Sequence, residues 1–217
     1  MKKLIFSVIA AASLSACTNF GGEKKLPILG RREVTTVEID GVTTADTIYH
    51  TIADFRFLDQ DSAWVTNETY NGKIYVADFF FTSCPTICPI MKTQMIRIYE
   101  AFEDNPEVGL LSYSIDPAHD TVAVLHDFAE RLGVKSDRWH FVTGDKDAIY
   151  DLGETSYMVV AGEDPGAPGG YIHSGAFLLV DKDRRIRGVY DGTVKEDVDK
   201  LMEDMRTLLK EYNKEKS

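Results

Sequence analysis

The chain has 217 residues, with 24 Lys and Arg against 35 Asp and Glu, for a formal net charge of −11. That length suits one α/β domain with a full core, and an apolar share of 44% fits a globular protein. The acidic residues are scattered, not gathered in a tail, which excludes nucleic acid and anionic lipid surfaces as partners and leaves cationic or metal-bearing ones open.

In chain order, residues 1–16 carry Lys2 and Lys3, then an apolar run from Leu4 to Leu14 broken only by Ser7 and Ser13. This predicts an export signal, since the run is too short to span a bilayer. It ends in Leu14-Ser15-Ala16-Cys17, which resembles the bacterial lipobox, whose cysteine is diacylated and becomes the first mature residue; an ordinary signal peptide ending at Ala16 is the alternative. Residues 17–32 are polar and bear glycine without a period, as expected of a membrane tether, and residues 33–217 are read as the domain. Val34 to Ile39 before Asp40-Gly41, and Phe55 to Leu58 before Asp59, predict two hairpins forming an accessory β layer in front of the main fold.

Lys73 to Phe81 is a nearly continuous run of β-branched and aromatic residues, the pattern of a strand covered on both faces. Thr82 to Pro89 carry Cys84 and Cys88, each followed by proline, and from Ile90 the apolar residues take up a helical period. The unit reads strand, cysteine loop, helix, where open α/β sheets place their ligands. If the first helical turn takes in both cysteines, positions i and i+4 share a face. The sulfurs can then close a disulfide or turn toward one soft metal ion, and the helix N-terminus favours thiolate. A structural disulfide or two buried thiols are the plainer alternatives. With Cys17 used for the anchor, this pair is the whole thiol inventory of the mature chain.

Val108 to Ile115 predicts a second buried strand, stopped by Asp116-Pro117. Asp120 or Thr121 caps a helix closed by Gly133. A short strand over Trp139 to Thr143, a helix over Asp145 to Ser156 weakened by Gly153, and a Gly/Pro loop from Gly162 to Gly170 come next. Ala176 to Val180 and Ile186 to Tyr190 read as a hairpin, and the stripe from Val194 to Leu209 as a long C-terminal helix. The order is that of a thioredoxin-like α/β sheet with N-terminal accessory hairpins, one extra strand and helix, and a C-terminal helix.

Of five histidines, His173 stands between the Gly/Pro loop and the strand from Ala176, and in such a sheet that loop passes beside the cysteines. His119, in the turn after Asp116, is its only rival. Two thiolates and one imidazole suit Cu(I) and accept Cu(II), whereas zinc usually takes a fourth ligand. Cys84-Pro85-Thr86-Ile87-Cys88-Pro89 after Phe81-Thr82, Ser114-Ile115-Asp116-Pro117 with Asp120-Thr121, and His173-Ser174 ahead of Leu179-Val180-Asp181 resemble the signature blocks of the Sco/SenC family, over roughly residues 55–211.

That resemblance implies a thioredoxin-like domain held at the exported side of a bacterial membrane, with Cys84, Cys88 and His173 as copper ligands. It also implies a part in assembling the binuclear copper site of cytochrome c oxidase. The partners would be that copper-site subunit or another copper acceptor, a copper-donor chaperone, and the membrane through the anchor. Separately, Asp116, at the end of the strand beside the cysteine strand, is the candidate for orienting the ligands from behind, with a turn cap as its alternative role. The chain has Phe80, Thr86, Ile172 and Lys182 where the family often has Gly, a carboxylate, Asp and Pro. A thiol-disulfide reductase using Cys84 and Cys88 is the competing function, and a peroxiredoxin-like peroxidase a third; as a copper chaperone the protein would not be an enzyme.

The anchor is directly testable. Mass spectrometry of the mature N-terminus is expected to find a diacylated Cys17, and Cys17→Ala is expected to stay uncleaved or be mis-sorted. An unmodified terminus at Cys17 or Thr18 contradicts lipidation.

Overall fold

The computed structural model describes residues 25–39 and 42–215. Within them the strands are β1 (Arg32–Ile39), β2 (Val42–Tyr49), β3 (Arg56–Asp59), β4 (Trp64–Thr66), β5 (Ile74–Phe80), β6 (Val108–Ser114), β7 (Trp139–Thr143), β8 (Ala161–Glu163), β9 (Tyr171–His173), β10 (Ala176–Val180) and β11 (Ile186–Asp191). The helices are α1 (Cys88–Ala101), α2 (Val122–Leu132), α3 (Lys146–Asp151) and α4 (Lys195–Glu215). Cys17 and the expected signal lie outside the described residues, as does the Asp40-Gly41 turn.

Every residue of β5 and β6 is buried, which is why both read as nearly continuous apolar runs, broken by Asp78 in β5 and by Ser112 and Ser114 in β6. They lie side by side and parallel in a seven-stranded sheet of order β11-β10-β5-β6-β7-β3-β4, with β7 parallel to β6 and the outer strands antiparallel. Alternate side chains of β5 face opposite ways. Asp78 and Phe80 face α1 and α2, through Lys92 of α1 on the Phe80 ring and Phe128 of α2 against Phe80 and Phe141. Tyr190 of β11 donates to Asp204 of α4 at 2.8 Å. Tyr75 and Phe79 face the other way, where the Tyr157 hydroxyl meets those of Tyr75 and Tyr113 at 3.0 Å each. Each aromatic ring buried in this way contributes about 2 kcal/mol of transfer free energy, and the three phenols satisfy one another's polar atoms.

Local signals placed most elements correctly. Thr121 caps α2 by accepting from Val124 N, and Gly133 ends it at φ 71°. The expected helix over Asp145 to Ser156 is α3 continued by a π turn over Leu152–Ser156; at Gly153 an added Cβ would stand 3.1 Å from the Phe79 ring, so the missing side chain lets this turn lie on the sheet.

Two expectations need revision. The second hairpin, β3–β4, is no accessory layer: β3 pairs with β7 and carries the main sheet outward by two strands, because Phe57 stacks on Phe55 and edges onto Tyr113 in the core. The first hairpin, β1–β2, forms a two-stranded sheet of its own, as β8–β9 does later in the chain. The end of the expected tether is also part of the domain. Leu26 is buried, its N–H donates to Glu211 at 2.7 Å, and Leu29 N donates to the Ile186 carbonyl at 2.8 Å. Arg187 holds the carbonyls of Leu26 and Pro27 at 2.7 and 3.1 Å while pairing with Asp181 and Glu211.

Candidate metal centre

The chain leaves β5 at Phe80 and turns through Thr82 and Ser83, with Cys84 N donating to the Phe81 carbonyl at 3.3 Å. Helix α1 starts at Cys88, has Pro89 in its first turn, and receives no side-chain cap from Ile87. Cys84 is therefore in the loop before the helix, in keeping with the strand–loop–helix reading, and the two cysteines do not share the first helical turn. Prolines after each cysteine explain the boundary: Pro85 disfavours a helical Cys84, whereas Pro89 lacks an N–H where the helix leaves its first donors unused.

Neither cysteine is in a disulfide, and both are buried, with 8% of Cys84 and 4% of Cys88 exposed. Their environments differ. Burial pushes the Cys84 thiol up, but hydrogen bonds from the backbone at Thr86 and Cys88, from the Cys88 side chain and from the Thr86 hydroxyl outweigh it and hold the thiol below its ordinary value. The Thr86 hydroxyl is 3.7 Å from Cys84 Sγ. Burial pushes Cys88 well up, and neither a backbone hydrogen bond at Phe81 nor the Lys92 ammonium reverses it. The pair thus has one sulfur disposed to be an anion and one disposed to keep its proton.

The loop is fixed from behind by Asp120, which is fully buried. Its carboxylate accepts from Thr82 N at 3.0 Å, from the Thr82 hydroxyl, and from the Ser114 hydroxyl at 2.6 Å. Sequence reading offered Asp120 only as a helix cap. Asp116, 9% exposed, does cap its turn, accepting from His119 N on both its carbonyl, at 3.1 Å, and its carboxylate, at 3.4 Å. Burial and the nearby Asp116 carboxylate push the Tyr171 phenol of β9 well up.

The β8–β9 hairpin places the His173 backbone opposite Ala161; the His173 side chain lies outside the described residues. Its flanks are on the cysteine loop. The Tyr171 ring is 5.0 Å from the Phe81 ring, and at Gly169, φ 81°, an added Cβ would be 2.9 Å from Phe81 and 3.2 Å from Pro85. At Gly175, φ 66°, it would be 3.5 Å from Ile87. His173 is thus held between two stretches that touch residues bracketing Cys84 and Cys88. Among the described residues no three His, Cys, Asp or Glu side chains converge as a metal site, so what they supply is the two thiols.

The other histidines have structural partners or stand in solvent. His50 Nε2 meets the Ser156 carbonyl at 2.7 Å, His126 Nδ1 meets Asp61 at 3.1 Å, and His140 Nδ1 meets Asp59 at 2.9 Å. His119 is exposed on the Asp116 turn.

Comparison with known proteins gives a consistent picture. The SCO1/SenC family profile matches residues 43–210. A SCO1/SenC family lipoprotein from Bacillus anthracis has a crystal structure that superposes with a TM-score of 0.68 at 26% identity, covering 74% of this chain and 95% of that one. The structure of BsSco, described as a member of the Sco family of cytochrome c oxidase assembly proteins with a disulfide switch, superposes with a TM-score of 0.65 at 28% identity, covering 73% of this chain and 93% of that one. A Stutzerimonas stutzeri protein named for copper binding is 28% identical over 63% of this chain and 67% of its own length.

The asymmetry of the pair has a chemical readout. At neutral pH iodoacetamide is expected to alkylate Cys84 at least about tenfold faster than Cys88, because the thiolate is the nucleophile. Peptide mapping at timed quenches measures the two rates, and equal rates contradict the assignment.

Proposed function

The chain belongs to the SCO1/SenC family, and from that membership we propose that it is a membrane-anchored copper chaperone serving the binuclear copper site of cytochrome c oxidase. It would deliver copper to that site or prepare the site's thiols. Copper is the cargo, with Cys84, Cys88 and His173 as its ligands. The observation that carries this reading is the placement of two buried thiols, neither in a disulfide, after the end of β5, with the flanks of His173 packed on their loop.

The chemistry fits the donors. Thiolates are soft ligands that favour Cu(I), and adding an imidazole nitrogen extends the set to Cu(II). Each thiol gives up its proton as metal enters. Cys84 is already disposed to do so, and Cys88 follows when the metal replaces its proton. The BsSco and Stutzerimonas stutzeri relatives support the oxidase context and the metal, respectively.

Among the described residues no helix is long and apolar enough to cross a membrane. The lipobox-like Leu14-Ser15-Ala16-Cys17 makes a lipid on Cys17 the proposed anchor. The Bacillus anthracis lipoprotein supports that reading. The strap over residues 25–29 is held at Ile186, which pairs with Val180, itself opposite Tyr75 near the start of β5. The cysteines follow the other end of β5. With the anchor ahead of that strap, the site would face away from the membrane, toward the exported face of an acceptor, at an effective concentration raised by the anchor.

One observation favours thiol reduction as a second activity of the same pair: an anion-prone Cys84 beside a proton-retaining Cys88 is the arrangement of an attacking and a resolving thiol. His173 separates the two uses. His173→Ala is expected to lower Cu(II) affinity by about 100-fold or more and Cu(I) affinity by about tenfold, since two thiolates alone still hold Cu(I). The Cys84-Cys88 reduction potential is expected to stay unchanged. Copper affinities equal to wild type overturn the ligand assignment, and a variant that still supports oxidase assembly favours the reductase.

A further inference from the structure

One cavity has no thiol in its walls and yet carries soft donors. Its volume is about 330 Å³, and it is bounded by Arg31, His50, Glu154, Thr155 and Met158. His50 is fixed at its wall by the backbone on either side. The His50 N–H donates to the Arg31 carbonyl at 3.0 Å, and at Gly30, φ 100°, an added Cβ would be 2.9 Å from His50 Cβ and 3.3 Å from Cδ2. His50 Nε2 meets the Ser156 carbonyl at 2.7 Å. A carbonyl only accepts, so Nε2 carries the proton and, in the neutral ring, Nδ1 keeps its lone pair. Among the described residues Nδ1 has no hydrogen-bond partner. This is how a histidine is prepared for a metal: a carbonyl holds the proton of one nitrogen, fixes the tautomer and leaves the other nitrogen as ligand.

Met158 supplies the second donor. Among the described residues Met91, Met95 and Met205 are buried and Met202 is half-buried, whereas Met158 is 46% exposed. It follows the π turn over Leu152–Ser156 at φ 56°, a conformation that a helix end usually gives to Gly or Asn. Neither packing nor backbone preference explains an apolar side chain exposed on such a residue. A thioether brought to the cavity wall does. Met158 comes two residues after Ser156, whose carbonyl orients His50 and whose hydroxyl accepts from Ala53 N at 3.3 Å, so one short segment sets both donors.

We propose that His50 Nδ1 and Met158 Sδ form a second metal site, separate from the cysteine pair and selective for the soft monovalent ion Cu(I). Imidazole and thioether suit that ion, whereas a hard divalent cation would find one carboxylate, Glu154, opposed by Arg31. With no thiolate the site is weak, with a Kd of about 1 μM. A Cu(I) titration buffered by a tight chelator therefore reads the cysteines alone. The site also lies close to the hairpin that carries His173: Met158 is three residues before Ala161, at most about 11 Å of chain, and Ala161 pairs with His173.

The test uses the mature chain with Cys17→Ser, Cys84→Ser and Cys88→Ser, so its outcome does not depend on the reading of the thiols. Cu(I) is added in acetonitrile-containing buffer, which holds the ion only weakly, and the methionine methyl and histidine ring signals are followed by NMR. The Met158 methyl and the His50 ring are expected to shift together and to saturate at one Cu(I) per chain. Met158→Leu keeps the shape and loses the sulfur; His50→Gln keeps an N–H for the Ser156 carbonyl and loses the ring nitrogen. Each is expected to weaken binding about tenfold or more. An affinity unchanged by either substitution overturns the proposal, as does saturation that leaves the Met158 methyl unmoved.

Discussion

A strand buried on both faces must hand its last backbone groups to a partner before the chain can turn, and at the end of β5 that partner is Asp120. Its carboxylate takes the Thr82 N–H and hydroxyl on one side and the Ser114 hydroxyl on the other. The cysteine loop is thereby tied to the end of β6, the strand that runs parallel to β5. The segment that carries His173 meets the same loop, where the Tyr171 ring of β9 lies 5.0 Å from the Phe81 ring. The proposed copper site needs its donors fixed relative to one another, and on the thiol side that is done by a carboxylate outside the donor set.

The same arrangement explains how two nearly identical thiols acquire different chemistry. Cys84 lies before the helix, where unused backbone donors point at it, and Cys88 is the first residue of the helix and faces the core. A helix starting one turn earlier would bury both equally. The prolines at 85 and 89 set the boundary, so the division of labour is written in the two residues that follow the cysteines.

Much of this was legible in the sequence because it is local. The buried strands, the Thr121 cap, the Gly133 stop and the strand–loop–helix around Cys84 each follow from neighbours in the chain. What was not legible depends on distant partners. Asp120 reads as a cap until Thr82 is seen beside it, and residues 25–29 read as tether until Arg187 is found holding their carbonyls. The pairing of β3 with β7 is likewise invisible to a pattern of alternation. Asp78 was the one missed signal, since a carboxylate inside an otherwise apolar strand requires a buried partner, and Lys92 stands one turn into the inner face of the next helix.

The central claim is that the two sulfurs of Cys84 and Cys88 serve either a metal ion or each other, never both. Cu(I) titration of the soluble domain, prepared once with the thiols reduced and once as the intramolecular disulfide, tests it most directly. The reduced form is expected to bind one Cu(I) per chain and the oxidised form none, because a disulfide has no thiolate to offer. Equal uptake by the two forms would contradict a cysteine-based copper site.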